Sequence, residues 1–153
     1  MSAAQTVLIV DDEAPIADLL DTILKGAGYR CLKANSGHEA VELVKRESPD
    51  LVILDINMPG MDGFQTCEML RESPENCSLP IVMLTGRGDE STIVKALERG
   101  ADGYIIKPFN QKELLHTLQQ LLGKAKEGTL PSQYYFKNIK PKQEGASGES
   151  ALS

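Results

Sequence analysis

Four short apolar runs of this sequence each end on a polar residue that could do chemistry, in the order Asp11 and Asp12, Asp55, Thr85 and Lys107. Three carboxylates brought together would repel one another unless cations offset their charge. Lys107 could supply one such charge. Oxygen ligands without nearby His or Cys favour Mg²⁺ as the other. A carboxylate beside Mg²⁺ and a lysine can attack phosphorus, and the hydroxyl of Thr85 could donate to a phosphoryl oxygen.

Each of these residues alone would have an ordinary structural explanation. An Asp after a strand is commonly a turn former or a helix cap, Thr85 could cap the helix that follows it, and an isolated lysine usually lies on the surface. The complete order of acid pair, Asp, Thr and Lys, each after an apolar run, is much harder to explain by structure alone. This order therefore predicts a site.

Short apolar runs that alternate with amphipathic stretches indicate the elements that must position these residues. The runs predict strands at residues 7–10, 29–33, 51–54, 81–84 and 104–106. Strands separated by helices indicate βαβ units, and strands that are apolar on both faces indicate a parallel sheet covered on both sides. We therefore predict an α/β fold, a doubly wound (βα)5 domain over residues 5–123. The carboxyl ends of its strands would bring the polar residues into one cleft.

Helix start and stop signals support this interpretation. Ser36 and Glu39 have the spacing of a capping box, as do Asn110 and Glu113. Gly123 lies where the last helix could end, so we place the domain boundary there. Residues 124–153 sustain no apolar period. The first few of them could extend the last helix, and the remainder predicts a flexible tail, apart from the aromatic triplet Tyr134-Tyr135-Phe136. That triplet could fold back on the domain, hang loose, or serve in docking or self-association.

The composition limits the class of protein. A chain of 153 residues with 41% hydrophobic residues and a net charge of −6 suits one globular domain without affinity for nucleic acid. No apolar run is long enough to span a membrane, and the N-terminus does not resemble a signal peptide. The three cysteines have no metal-binding or redox spacing, and we expect them to be buried or half-buried thiols in a cytoplasmic protein.

Four stretches of the chain resemble the receiver domains of two-component response regulators of the chemotaxis-regulator type. They are VLIVDDE at 7–13, LVILDINMPGMDGF at 51–64, IVMLTGRGD at 81–89 and ADGYIIKPF at 101–109. The resemblance extends over nearly all of residues 5–123 and does not cover the tail. It implies a flavodoxin-like sheet of five parallel strands in the order 2-1-3-4-5.

The resemblance also implies a role for each residue of the metal and phosphorylation site. Asp55 would accept the phosphoryl group. Asp12 would bind Mg²⁺ with Asp11 in support, and Asn57 would offer its backbone carbonyl to the metal. Lys107 would pair with the phosphoryl group.

Two further positions match the switch residues of the family. Thr85 would contact the phosphoryl group, and Tyr104 would move between outward and buried positions as Thr85 is drawn in. The resemblance also implies a cis peptide bond between Lys107 and Pro108.

Three alternatives have distinct signatures. A phosphatase of the haloacid-dehalogenase type needs a second Asp two residues after its nucleophile, where this chain has Asn57. A flavodoxin needs a Ser/Thr/Gly-rich phosphate loop after the first strand, where this chain is acidic. A phosphorylation-independent interaction module usually loses the acids or the lysine, all of which are present.

The sequence therefore predicts a signalling switch more than a turnover enzyme. It would take a phosphoryl group onto Asp55 from a histidine kinase or a histidine-phosphotransfer protein, catalysing only its own phosphorylation and dephosphorylation. It would signal to a downstream protein through the face formed by the fourth helix, fifth strand and fifth helix. Homodimerisation on phosphorylation stays open. The tail favours a stand-alone regulator over a receiver excised from a longer protein.

Overall fold

The computed structural model describes residues 4–133, and these form a parallel sheet with helices on both faces. The five strands are β1 (Thr6–Val10), β2 (Arg30–Ala34), β3 (Leu51–Asp55), β4 (Ile81–Thr85) and β5 (Gly103–Ile106). The helices are α1 (Ala14–Gly26), α2 (Gly37–Glu47), α3 (Gly63–Arg71), α4 (Glu90–Glu98) and α5 (Gln111–Glu127), with a short 3-10 turn at Pro74–Asn76. The strand order is β2-β1-β3-β4-β5, which confirms the predicted topology.

The core has two parts, one on each face of the sheet. Side chains of β1, β3 and β4 pack on one face against α2 and α3, with Ala96 of α4. On the other face the same strands pack against α1 and α5. Every residue of β3 and β4 is buried, as the continuous apolar runs predict, whereas Tyr104 and Ile106 on the edge strand β5 are exposed.

The predicted helix caps are largely confirmed. Ser36 Oγ accepts a hydrogen bond from the Glu39 backbone N–H at 3.1 Å, and Asn110 Oδ1 accepts one from Glu113 at 2.7 Å. Such caps satisfy backbone donors that the first turn of a helix leaves free. Cys77 is exposed, contrary to the expectation for the cysteines, because it lies at the end of the short 3-10 turn instead of in an element that faces the core.

The last helix continues past the predicted boundary. Gly123 lies within α5, which ends at Glu127 and is capped by Gly128 in a left-handed conformation with φ of 75°. The chain then turns back, and Leu130 is completely buried. The packed part of the molecule therefore extends to residue 133, and the remainder of the predicted tail, residues 134–153, lies outside the described residues together with 1–3.

Within residues 4–133, no helix combines the length and the apolar character needed to cross a membrane.

Candidate functional site

Strand register brings the polar residues that follow the strands to one edge of the sheet. Val10 pairs with Leu54, so Asp11 and Asp55 follow on adjacent strands. In the same way, Thr85 pairs with Ile106 and Lys107 follows. The residues of the predicted cleft are thus assembled from four strands because those strands are parallel and in register.

Asp11, Asp12 and Asp55 form a carboxylate cluster at this edge. One oxygen from each lies within 4.8 Å of the others. Asp11 and Asp55 are nearly inaccessible to solvent, at 2% and 1% exposure, while Asp12 is exposed. The cluster is therefore buried at its base and open at its mouth.

The donors around Asp11 leave one oxygen unused. Asp11 Oδ1 accepts a hydrogen bond from the backbone N–H of Glu13 at 2.9 Å. Within residues 4–133, the buried Oδ2 of Asp11 has no hydrogen-bond partner. A buried carboxylate oxygen without a donor is costly, and a metal ion is one way to satisfy it. The cluster thus fits a divalent cation with a preference for oxygen ligands.

Lys107 is the cation nearest to Asp55. Its Nζ donates to Asp55 Oδ1 at 3.2 Å. The same Nζ lies 3.9 Å from Oε1 of Glu13, a neighbour that no sequence pattern indicates. The backbone N–H of Lys107 donates to the carbonyl oxygen of Thr85 at 2.7 Å. The peptide bond to Pro108 is cis, as predicted. Lys107 is therefore held at both its backbone and its side chain.

The electrostatics of the cluster follow from burial and charge repulsion. Burial, followed by the negative charge of Asp11, raises the pKa of Asp55 to about 6, although Lys107 acts in the opposite direction. Burial also raises the pKa of Asp11. Both shifts arise because ionised carboxylates are poorly solvated and close together. The folded protein therefore gains from any cation that binds between them.

Thr85 occupies the site but its hydroxyl is engaged elsewhere. Thr85 Oγ1 accepts a hydrogen bond from the backbone N–H of Arg87 at 2.9 Å and lies 3.2 Å from the Arg87 carbonyl, to which it donates. Tyr104 points outward, with 41% of its surface exposed. In this conformation Thr85 is tied to the loop before α4, and Tyr104 faces solvent.

The loop after β3 is shaped by Gly63 at the start of α3. A Cβ at this position would come within 2.6 Å of the Ile56 Cα and would also contact the Asp55 carbonyl oxygen. The Gly63 N–H donates to the carbonyl of Ile56 at 2.9 Å. Only glycine permits this close approach. Asp62 completes the helix start with a capping box to Gln65, and Asn57 lies exposed in the loop between Asp55 and this cap.

Comparison with known proteins agrees with this geometry. The family of response regulator receiver domains matches residues 7–119. The chain belongs to the response regulator receiver domain family. It is therefore a receiver domain of the kind used in two-component systems, where such domains interact with histidine kinases and downstream effectors.

Solved structures from several organisms are similar to this receiver. A response regulator from Chloroflexus aurantiacus is 40% identical with a TM-score of 0.76, covering 78% of this chain and 98% of that one. Chemotaxis protein CheY4 from Vibrio cholerae is 35% identical with a TM-score of 0.75, covering 78% of this chain and 99% of that one. The receiver domain of a signal transduction histidine kinase from Syntrophus aciditrophicus is 37% identical with a TM-score of 0.73, covering 78% and 91%. The family assignment decides against the haloacid-dehalogenase and flavodoxin alternatives.

The carboxylate cluster gives the receiver a testable pH dependence. We expect Asp55→Asn to raise the free energy of unfolding of the metal-free protein by about 1–3 kcal/mol at pH 8. Folding raises the pKa of Asp55 to about 6, so the ionised carboxylate is less favourable in the folded state than in the unfolded state. The free energy of unfolding is therefore highest below the unfolded pKa of this group and falls as the pH rises through about 6. The gain from the substitution should therefore shrink as the pH falls from 8 toward 4.

Urea unfolding at several pH values measures this effect, with Glu42→Gln as the control because Glu42 is an exposed acid on α2. Mg²⁺ should reduce the difference in free energy of unfolding between the wild-type receiver and Asp55→Asn, since it stabilises the charged cluster. Equal gains at pH 8 and pH 4 would contradict the electrostatic account.

Proposed function

We propose that this receiver is a phosphorylation-dependent switch that accepts a phosphoryl group on Asp55. The observation that carries the proposal is the position of Lys107 Nζ, 3.2 Å from Asp55 Oδ1 and beside a cluster of three carboxylates. The donor would be a phosphohistidine of a histidine kinase or a histidine-phosphotransfer protein. An Asp55 oxygen forms the new bond to phosphorus as the bond between phosphorus and the histidine nitrogen breaks.

The carboxylates of Asp11, Asp12 and Asp55 and the backbone carbonyl of Asn57 would hold Mg²⁺. When bound, the ion offsets negative charge on the transferring group and on the carboxylates. Lys107 adds a second positive charge beside Asp55, and its side-chain and backbone contacts hold it there. Positioned charges of this kind stabilise a charged transition state without reorganisation during the reaction.

The switch would begin with Thr85. Its hydroxyl donates to the Arg87 carbonyl in this conformation, so that hydrogen bond must break before the hydroxyl can donate to a phosphoryl oxygen on Asp55. Movement of Thr85 would open space into which Tyr104 could turn from its exposed position. Phosphorylation would thus favour a second conformation because the new group makes contacts that exist only there.

The surface formed by α4, β5 and α5, which we call the output face, would bind the downstream protein. It carries four exposed apolar side chains, Val94, Leu97, Tyr104 and Ile106. Two of them lie on α4 and two on β5, so a change at Tyr104 alters the face directly. Adjacent exposed apolar residues of this kind commonly mark protein interaction sites. Dimerisation on phosphorylation would also use the output face.

Nuclear magnetic resonance of the backbone amides tests the switch. With acetyl phosphate and Mg²⁺, we expect clear shifts at Arg87, whose hydrogen bonds with Thr85 change, and at Tyr104. The amide of Ser132, at the opposite edge of the sheet, should change little. Asp55→Asn under the same conditions is the matched control and should show none of these shifts. Phosphorylation on Asp55 without change at Arg87 would contradict the proposed switch and leave the phosphoryl transfer itself intact.

A further inference from the structure

A cavity lies at the amino ends of the strands, opposite the carboxylate cluster at their carboxyl ends. It has a volume of about 600 Å³ and is bordered by the end of α2, the loop before β3, the 3-10 turn before β4 and the end of α5. Val44, Leu79 and Leu122 give it an apolar wall, and Ser78 lies among its polar residues. Its size is in the range of cavities that hold small ligands or several side chains. The proposed phosphorylation switch makes no use of it.

The chain after α5 is led to the rim of this cavity by specific contacts. Leu130 is completely buried in the core formed by α1 and α5. The backbone N–H of Ser132 donates to Asp102 Oδ1 at 2.8 Å, and Gln133 Nε2 donates to Ser78 Oγ at 3.1 Å. Because Ser78 borders the cavity, the side chain of Gln133, the last described residue, reaches its rim.

The residues that follow have the chemistry to fill such a cavity. Tyr134, Tyr135 and Phe136 supply three of the seven aromatic residues of the chain, and they lie outside the described residues. A stretch of three residues can span about 10 Å when extended, enough to reach from the rim into the cavity. Tyrosine combines a large apolar ring with a hydroxyl that needs a polar partner, which matches an apolar wall with a polar rim.

We propose that residues 134–136 dock in this cavity of their own chain. A segment that starts at the rim has a high effective concentration there, so a second molecule would compete poorly for the site. The rim carries charges of both signs, Lys45 and Lys126 with Asp50 and Glu75. This balance gives no strong preference for a highly charged ligand and suits an aromatic segment.

A single tryptophan reports this docking, since the chain contains no Trp. In the full-length protein without Mg²⁺ or phosphodonor, Phe136→Trp should give blue-shifted emission and several-fold weaker acrylamide quenching than Ser147→Trp, which lies beyond the proposed segment. Ala125 borders the cavity from α5, so adding Ala125→Phe to Phe136→Trp should obstruct part of it and move quenching toward the level of Ser147→Trp. Ala125→Leu, a smaller substitution, is measured in parallel, and circular dichroism verifies that each variant is folded.

Three results would overturn the proposal. The first is equal quenching of the tryptophans at positions 136 and 147. The second is protection at position 136 that persists in both folded Ala125 variants, which would place the aromatic segment elsewhere. The third is protection that disappears on dilution, which would assign the cavity to a second copy of the chain. None of these results depends on phosphorylation of Asp55.

Discussion

Arg71→Met should lower the free energy of unfolding by about 3–5 kcal/mol, because it leaves a buried carboxylate without its partner. Arg71 Nη2 and Asp102 Oδ2 lie 2.8 Å apart, and the two side chains are only 6% and 0% exposed. Asp102 Oδ2 also accepts the backbone N–H of Ile81 at 3.0 Å, so the carboxylate joins the starts of β4 and β5. Without the arginine, the negative charge of the buried Asp102 carboxylate has no ion-pair partner and cannot reach solvent.

The guanidinium of Arg71 uses its whole hydrogen-bonding capacity. Nε donates to the Gly100 carbonyl at 2.9 Å, and Nη1 donates to the carbonyls of Asn76 and Leu79 at 2.7 and 2.8 Å. Nη2 donates to Asp102 and, at 3.2 Å, to the hydroxyl of Ser132. A lysine cannot reproduce this planar set of donors, so Arg71→Lys should also destabilise the protein.

Arg99→Met is the matched control. The Arg99–Glu68 ion pair has a similar separation, 3.1 Å, but its side chains are 35% and 47% exposed. Exposed pairs contribute about 0–1 kcal/mol, so Arg99→Met should have a small effect on urea unfolding. A difference of less than about 1 kcal/mol between the two variants would show that the buried network does not stabilise the fold as argued.

Lys107→Met should slow phosphorylation of Asp55 at saturating acetyl phosphate and Mg²⁺ by about 10²–10³-fold, the usual cost of removing a positioned donor from a charged transition state. The lysine should act on the rate more than on binding, since the phosphodonor gains most from its charge during transfer. The separation of 3.2 Å from Asp55 places the charge where this effect is largest.

The pH dependence of the rate separates this role from a loss of structure. Lys107 lowers the pKa of Asp55 in the folded protein. Its removal should therefore shift the increase in phosphorylation rate to higher pH. Lys112→Met, an exposed lysine on α5, is the control and should change neither rate nor profile. A slower Lys107→Met with an unchanged profile would indicate that the lysine acts by another route, and a rate within a few-fold of wild type would remove it from the proposed chemistry.

The candidate site could be predicted from sequence because local patterns specify it. Its acids, Thr85 and Lys107 each end or closely follow an apolar run. Parallel strands bring such positions together at their carboxyl ends, independently of the loop conformations. Asp11 and Asp55 are 44 residues apart in the sequence, yet their positions after β1 and β3 make them neighbours. The two hydrogen bonds between Thr85 and Arg87 depend on the shape of one loop, and no sequence pattern reveals them.

The opposite edge of the sheet could not be predicted in the same way. Arg71 ends a helix and Asp102 precedes a strand, so their pairing follows only from the tertiary fold. The sequence favours a helix end at Gly123, but α5 continues through it because Leu121, Leu122 and Ala125 pack against the core. A glycine inside a helix costs about 1 kcal/mol relative to alanine, less than the burial of these side chains contributes. Because of this tertiary packing, α5 ends after Gly123, the residue that local propensity favours as its end.

The intact mass of the protein after treatment with acetyl phosphate and Mg²⁺ tests the central proposal most directly. We expect the wild-type chain to gain one phosphoryl group that hydroxylamine removes, and we expect no gain in Asp55→Asn or when the metal is chelated. Folded wild-type protein that binds Mg²⁺ but gains no mass would contradict the proposal. It would leave a receiver fold that acts as a phosphorylation-independent interaction module.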